Sequence, residues 1–325
     1  MENVSFPPLE NGLDYMESAV ELLADTPDQR DLKYAVLHIA AAIEVLLKMR
    51  LEQEHWSLIF SKIDLATRER HTAGDFHSVT VDDAITRLQN VAGVSFLESE
   101  LAVIKAIGQK RNRLQHLGLI DSSSAVRAST GEALNFLLSF IDRQFRGVVG
   151  RQTDPVEAVL DRIRGHLAGI RELVEARLKE LAPLLAEQDV VLECPLCLQP
   201  TLTLGEECRC LFCVYESSPA EMAEQYVTTI LRITQYEVVK DGGIWPIHDC
   251  PSCDQMAVLV SQVVDPLDHV EVSWHDRAPH YWVCFAEGCG WLYREITECD
   301  RCGVPIVADG DILSCQNCID YLMRD

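Results

Sequence analysis

All thirteen cysteines of this 325-residue chain lie between Cys194 and Cys318, and twelve of them form six short pairs. Cys194-x2-Cys197 is followed by Cys210-x2-Cys213, Cys250-x2-Cys253 by Cys284-x4-Cys289, and Cys299-x2-Cys302 by Cys315-x2-Cys318. Two such knuckles offer four sulfurs to one tetrahedral Zn²⁺ at about 2.3 Å. Three quartets imply three zinc ribbons. A segment of about 30 residues buries too little apolar surface to fold without its metal. Four thiolates also leave no open coordination position, so these sites read as structural. Cys208 is left over, and either Cys208 or Cys210 completes the first quartet. His248 and His280 lie close enough to the second quartet to replace a ligand there.

Knuckle spacing and an odd cysteine count point to metal binding in a reducing compartment and not to disulfides. The opening MENVSFPPLEN has no basic segment followed by an apolar one, so no signal peptide is expected. The longest apolar stretch, 34–47, is interrupted by His38 and Glu44 and is too short and polar to span a membrane. A soluble, cytoplasmic protein with no membrane partner is expected. The net charge of −23 is uneven: residues 191–325 carry 7 Lys/Arg against 22 Asp/Glu, whereas residues 1–150 carry 15 against 21. Each Zn(Cys)₄ adds about −2. Such a tail repels a phosphate backbone, which argues against ribbons that bind nucleic acid. It suits a docking surface for a protein partner.

The cysteine-free half reads as helices. Residues 9–24 have one apolar face. Thr26-Pro27-Asp28-Gln29 is a start signal with Thr26 as cap, opening a helix to about residue 54. A polar loop spans His71 to His77. Thr80 caps a helix to Val91, residues 96–117 form another before Gly118, and Ser122 to Ser124 open the last, to Phe145. Five helices with short connections predict an antiparallel bundle over 1–150. Residues 155–187 place Val156, Leu160, Ile163, Leu167, Ile170, Val174, Arg177, Leu181 and Leu184 at steps of four and three. That is a heptad seam over 151–189, either a long helix packed on the bundle or a self-associating coiled coil, with Pro183 kinking or ending it. The remaining segments divide as ribbon one (190–217), a connecting helix capped at Ser218 (218–243), ribbon two (244–296), with strands at 258–264 and 270–274, and ribbon three (297–325).

Chemistry concentrates at Lys110-Arg111-Asn112-Arg113-Leu114-Gln115-His116. Asn112 and His116 are four apart and share a helix face, with Arg111 beside them. A histidine at a helix end suits proton transfer at neutral pH, and an arginine beside it can clamp a phosphate. Lys105, Lys110 and Arg113 add positive charge on the same helix.

Arg111, Asn112 and His116, near the end of a late helix in an all-helical domain, resemble the Arg-Asn-x3-His motif of the HEPN superfamily. That resemblance implies a metal-independent endoribonuclease acting as a homodimer with a composite cleft. By it, a ribose 2′-hydroxyl of the RNA substrate attacks the adjacent phosphate and leaves a 2′,3′-cyclic phosphate. His116 exchanges protons, Arg111 stabilises the pentavalent phosphate, and Asn112 orients His116 or the phosphate. Glu44 supports the site, and Lys105, Lys110 and Arg113 bind substrate. It also implies a toxin or defence effector, with the ribbons as a docking or sensing module. Some family members carry a modifiable tyrosine two residues after the histidine; here that residue is Gly118. The alternative is a non-catalytic, HEPN-like dimerisation scaffold whose ribbons bind a protein.

Overall fold

Helix α1 (Pro8–Leu23) starts behind Pro7 with a proline in its own first turn, where the missing N–H costs nothing. Helix α2 (Gln29–Glu54) buries ten residues from Leu32 to Leu51 and packs against α1, α4 (Val81–Asn90), α5 (Glu98–His116) and α6 (Ser123–Gln144). Its cap is Asp28 and not the expected Thr26. The Asp28 carboxylate accepts the N–H groups of Arg30 (2.6 Å) and Asp31 (2.9 Å), and Asp31 returns a bond to the Asp28 N–H at 2.9 Å. A carboxylate satisfies two orphan donors and matches the helix dipole, which a threonine hydroxyl does less well. The Asp31 and Arg30 N–H groups hold the Asp28 carboxyl below its ordinary value. The described residues are 4–146, 155–241, 245–250, 253–262, 280–286, 292–293, 296–307 and 313–323 of a computed structural model.

The polar loop expected at 71–77 is partly helical. Two 3₁₀ turns (Trp56–Ile59 and Ile63–Leu65) lead into a short helix α3 (Arg68–Ala73). Arg87 of α4 pins this segment by donating to the carbonyls of Leu58 (2.5 Å), Phe60 (2.6 Å) and Ser61 (3.2 Å). The rings of Phe60 and Phe76 stack with centroids 4.1 Å apart. Thr80 and Ser122 cap α4 and α6 as the sequence indicated. Gly118 ends α5 at φ +92°, and its N–H reaches the Arg113 carbonyl at 2.6 Å.

The heptad segment is two helices and not one. Helix α7 (Pro155–Leu167) and helix α8 (Arg171–Leu185) are separated by a turn at Ala168–Gly169–Ile170. A side chain at Gly169 would press against the Ala24 carbonyl at 2.7 Å, so glycine allows the chain to turn close to the end of α1. Helix α7 packs on α1, and Arg162 makes a forked ion pair with Glu17 at 2.5 and 2.6 Å. In α8 the buried positions are Leu173, Arg177, Leu181 and Leu185, while Val174 is only half-buried and Leu184 is exposed. The seam therefore shifts register at the break and faces its own chain, which removes the coiled-coil reading. Pro183 lies inside α8, two residues from its end.

Arg177 is 3 % exposed and donates to Asn135 Oδ1 and Ser139 Oγ of α6, both at 3.0 Å. Gly131 lets α6 and α8 approach closely, since a Cβ there would sit 2.6 Å from the Glu172 backbone. Arg177→Met keeps the bulk but removes two hydrogen bonds to buried acceptors. It is expected to destabilise the helical unit by about 1–3 kcal/mol in urea unfolding, with no change in oligomeric state. A shift in oligomeric state at unchanged stability would restore the coiled coil.

The chain divides into two compact units, Met1–Lys179 and Glu180–Asp325, so most of the expected linker segment belongs with the helices. In the second unit β1 (Val191–Glu193), β2 (Pro200–Thr203), β3 (Cys208–Cys210) and β4 (Glu216–Ser217) form an antiparallel sheet in sequence order. Helix α9 (Pro219–Thr229), capped by Ser218, is followed by α10 (Gln235–Asp241), which sequence reading missed. A second sheet runs β5 (His248–Asp249), β6 (Met256–Gln262), β7 (His280–Cys284) and β8 (Leu292–Tyr293). β6 pairs with β7, from Val258 opposite Cys284 to Gln262 opposite His280. The expected strand at 270–274 lies outside the described residues. A two-stranded sheet of β9 (Ile296–Glu298) and β10 (Pro305–Val307), then α11 (Gln316–Leu322), complete the chain.

The first two sheets share a core. Helix α9 packs on β6, Tyr226 meets Phe285 edge-on at 5.6 Å, and Gly205 bridges Ala286. Among the described residues no helix is long and apolar enough to cross a membrane.

Candidate metal centres and candidate active site

Four cysteine pairs close the same hairpin turn. The residue after the second cysteine (Leu198, Val214, Asp254 or Gly303) has φ between +53° and +74°. For Leu198, Asp254 and Gly303 its N–H bonds the carbonyl of the first cysteine at 2.8–2.9 Å. A non-glycine residue in this left-handed region costs about 1–2 kcal/mol. Three of the four positions accept that cost, and the turn aims both sulfurs of a pair to one side.

These turns assemble three groups: Cys194, Cys197, Cys210 and Cys213; Cys250, Cys253 and Cys284; and Cys299, Cys302, Cys315 and Cys318. Within each, all sulfurs lie within 4.8 Å of one another. Cys289, the expected fourth ligand of the second group, lies outside the described residues. Across knuckles the sulfurs stand at 3.8 Å (Cys194 to Cys213), 3.6 Å (Cys197 to Cys210), 3.8 Å (Cys253 to Cys284) and 3.6 Å (Cys302 to Cys315). A disulfide needs about 2.05 Å. The edge of a tetrahedron with metal–sulfur bonds of about 2.3 Å is about 3.8 Å, so the spacing fits a ligated ion. Backbone N–H groups point at several sulfurs, Leu196 to Cys194 and Cys213 to Cys210 at 3.4 Å and Cys315 to Cys299 at 3.2 Å. Such donors offset the surplus negative charge of four thiolates on one dication.

The structure separates Cys208 from Cys210. Cys210 Sγ joins the first group, with Thr201 Oγ1 at 3.2 Å, while Cys208 Sγ donates to the Phe285 carbonyl at 3.2 Å. Burial pushes the Cys208 thiol up to about 12, which keeps its proton for that bond. Cys208 therefore ties the first sheet to the second. Cys208→Ala is expected to retain full metal content with a loss of about 1–2 kcal/mol, whereas Cys210→Ala loses at least one metal ion per chain by native mass spectrometry. Equal metal loss in both would return Cys208 to the ligand set. His248 packs edge-on against Trp282 at 5.6 Å and is not part of the second group.

In the helical unit, α2 and α5 bring three of the sequence-indicated residues together. Arg111 Nη2 pairs with Glu44 Oε2 at 2.7 Å, and Arg111 Nη1 donates to Asn112 Oδ1 at 3.0 Å. The other Glu44 oxygen accepts from Lys48 Nζ at 2.6 Å, and Lys48 also reaches Ser78 Oγ at 2.9 Å. Glu44 and Arg111 are each about one-third exposed, so the pair is reachable from solvent. His116 lies one turn beyond Asn112, is exposed, and its side chain makes no hydrogen bond among the described residues. Lys110 is drawn away to Asp121, whose carboxyl that contact and the Ser122 N–H hold below its ordinary value. Lys105 and Arg113 are exposed. Leu117 and Ile120 are 89 % and 94 % exposed at the same helix end.

Lys48, Ser78 and Asp121 were not anticipated. Lys48 is legible four residues after Glu44, but Ser78 arrives through the bridge of Phe60 to Ser78, which no local signal encodes. Two clefts, one between α1 and α7 and one lined by Arg127, Gly169 and Glu172, lie away from Arg111. No protein-family model, curated protein or solved structure matches this chain.

Proposed function

We propose that the helical unit is a metal-independent endoribonuclease of the HEPN type, and that the cysteine-rich unit carries three structural zinc ions and docks a protein partner. What carries the reading is the arrangement at the end of α5: Arg111 anchored by Glu44 and Asn112, with His116 exposed one turn on. Residues 101–120 contain no acidic residue in a chain with 51 of them, which supports approach of an RNA phosphate to this helix. His116 takes the proton from the ribose 2′-hydroxyl as that oxygen bonds to phosphorus. The bond to the 5′-oxygen breaks, a proton returns to that oxygen, and a 2′,3′-cyclic phosphate remains. Arg111 offsets the charge on the pentavalent phosphate. Leu117 and Ile120, apolar and exposed beside His116, suit a homodimer that joins two such ends.

A second reading rests on the Arg111–Glu44 pair. An arginine already neutralised by its own chain suits a scaffold that dimerises without catalysis. The deciding assay incubates the full zinc-loaded chain with mixed RNA in buffer with no Mg²⁺ or other added divalent cation. Cyclic-phosphate ends are expected. No cleavage of any RNA by a folded dimer would leave the scaffold.

A further inference from the structure

The three cysteine groups differ in what surrounds them, and the difference separates their metals. In the first group all four cysteines are buried, and their sequence and sheet neighbours Leu192, Leu202, Phe212 and Val214 have almost no exposure. In the second, Cys250 and Cys284 are buried with Val258 and Ala286, and Trp282 packs on that cluster. These two groups also share the core built by α9, Tyr226, Phe285 and the Cys208 bond. Among the described residues the third group has a smaller buried surround. Where burial is described within 296–323, Cys299 alone is buried, at 2 % exposure, and Cys302, Cys315 and Cys318 are half-buried. Helix α11 buries no residue, and Tyr321, Leu322 and Met323 stand 64 %, 60 % and 81 % exposed.

Two consequences follow from metal chemistry. A thiolate leaves zinc when a proton or a competing ligand reaches it, so exposed sulfurs exchange faster than covered ones. Where no apolar core holds the empty site together, binding free energy is also folding free energy, and the observed affinity falls by the cost of ordering the ribbon. Both effects act in the same direction. We infer that the third group is an exchangeable zinc site: ribbon three empties and unfolds at zinc levels where the first two sites stay filled. Residues 296–323 are thus a zinc-responsive element on a metal-stable base. This stands independently of any activity in the helical unit.

The test uses the full zinc-loaded chain. A colorimetric zinc chelator is mixed in, release is followed in time, and native mass spectrometry counts the ions retained. One equivalent is expected to leave about tenfold or more faster than the rest, giving a chain with one ion fewer. Hydrogen exchange on that species is expected to show lost protection over 296–323 and unchanged protection over 191–229. Cys318→Ser is expected to abolish the fast phase and leave the slow phase intact. Release in a single phase, a first loss of protection within 191–229, or a fast phase that survives Cys318→Ser would overturn the inference.

Discussion

Exhaustive removal of zinc is expected to unfold the cysteine-rich unit and leave the helical unit folded. The first metal group buries four sulfurs that stand 3.6–3.8 Å apart across the knuckles. Without a cation these are thiols in an apolar pocket with few acceptors, held by turns that place Leu198 and Val214 in the left-handed region. A structural zinc contributes on the order of 10 kcal/mol, more than the whole stability of an ordinary small domain. The helical unit has no cysteine and buries its own core of α1, α2 and α6 residues. Helical circular dichroism at 222 nm should therefore persist with its own cooperative melt, while amide protection over the described residues of 191–286 collapses. Intact protection there after complete chelation would show that the two sheets fold without metal. Loss of the helical melt would show that the units share stability.

The features read most fully from sequence are those fixed locally. Cysteine spacing, the Thr80, Ser122 and Ser218 caps and the Gly118 stop all rest on contacts within about five residues, and the structure reproduces them. What escaped is non-local. Helix α3 and its 3₁₀ neighbours exist because Arg87 binds three carbonyls from 26 to 29 residues away. The heptad seam misled because two separate helices preserve a spacing of three and four across a turn. Gly169 was the available signal, but its meaning depends on the Ala24 carbonyl it approaches. At the candidate site the face shared by Asn112 and His116 was legible, and Glu44 was a candidate partner. The diversion of Lys110 to Asp121 was not, since it follows from how the chain turns after Gly118.

His116→Ala is expected to lower RNA cleavage by about 10²- to 10⁴-fold, the range for removing a positioned proton-transfer group. The side chain is exposed and makes no hydrogen bond among the described residues, so the urea midpoint should not move. Arg111→Ala should cost about 10²- to 10³-fold through lost phosphate stabilisation. It also leaves Glu44 with Lys48 alone, so a small stability change is expected there. The two losses should not add, because they act on one transition state, and the double variant should fall little below the poorer single one. Glu44→Gln separates positioning from chemistry. The amide can still accept from Arg111 but no longer neutralises it, so KM for RNA should fall or hold while kcat drops by about tenfold, the scale of a supporting contact. Equal cleavage by wild type and His116→Ala would assign any activity to a contaminant or another site. It would leave the Arg111–Glu44–Lys48 chain as the structural tie between α2 and α5 that its distances already make it.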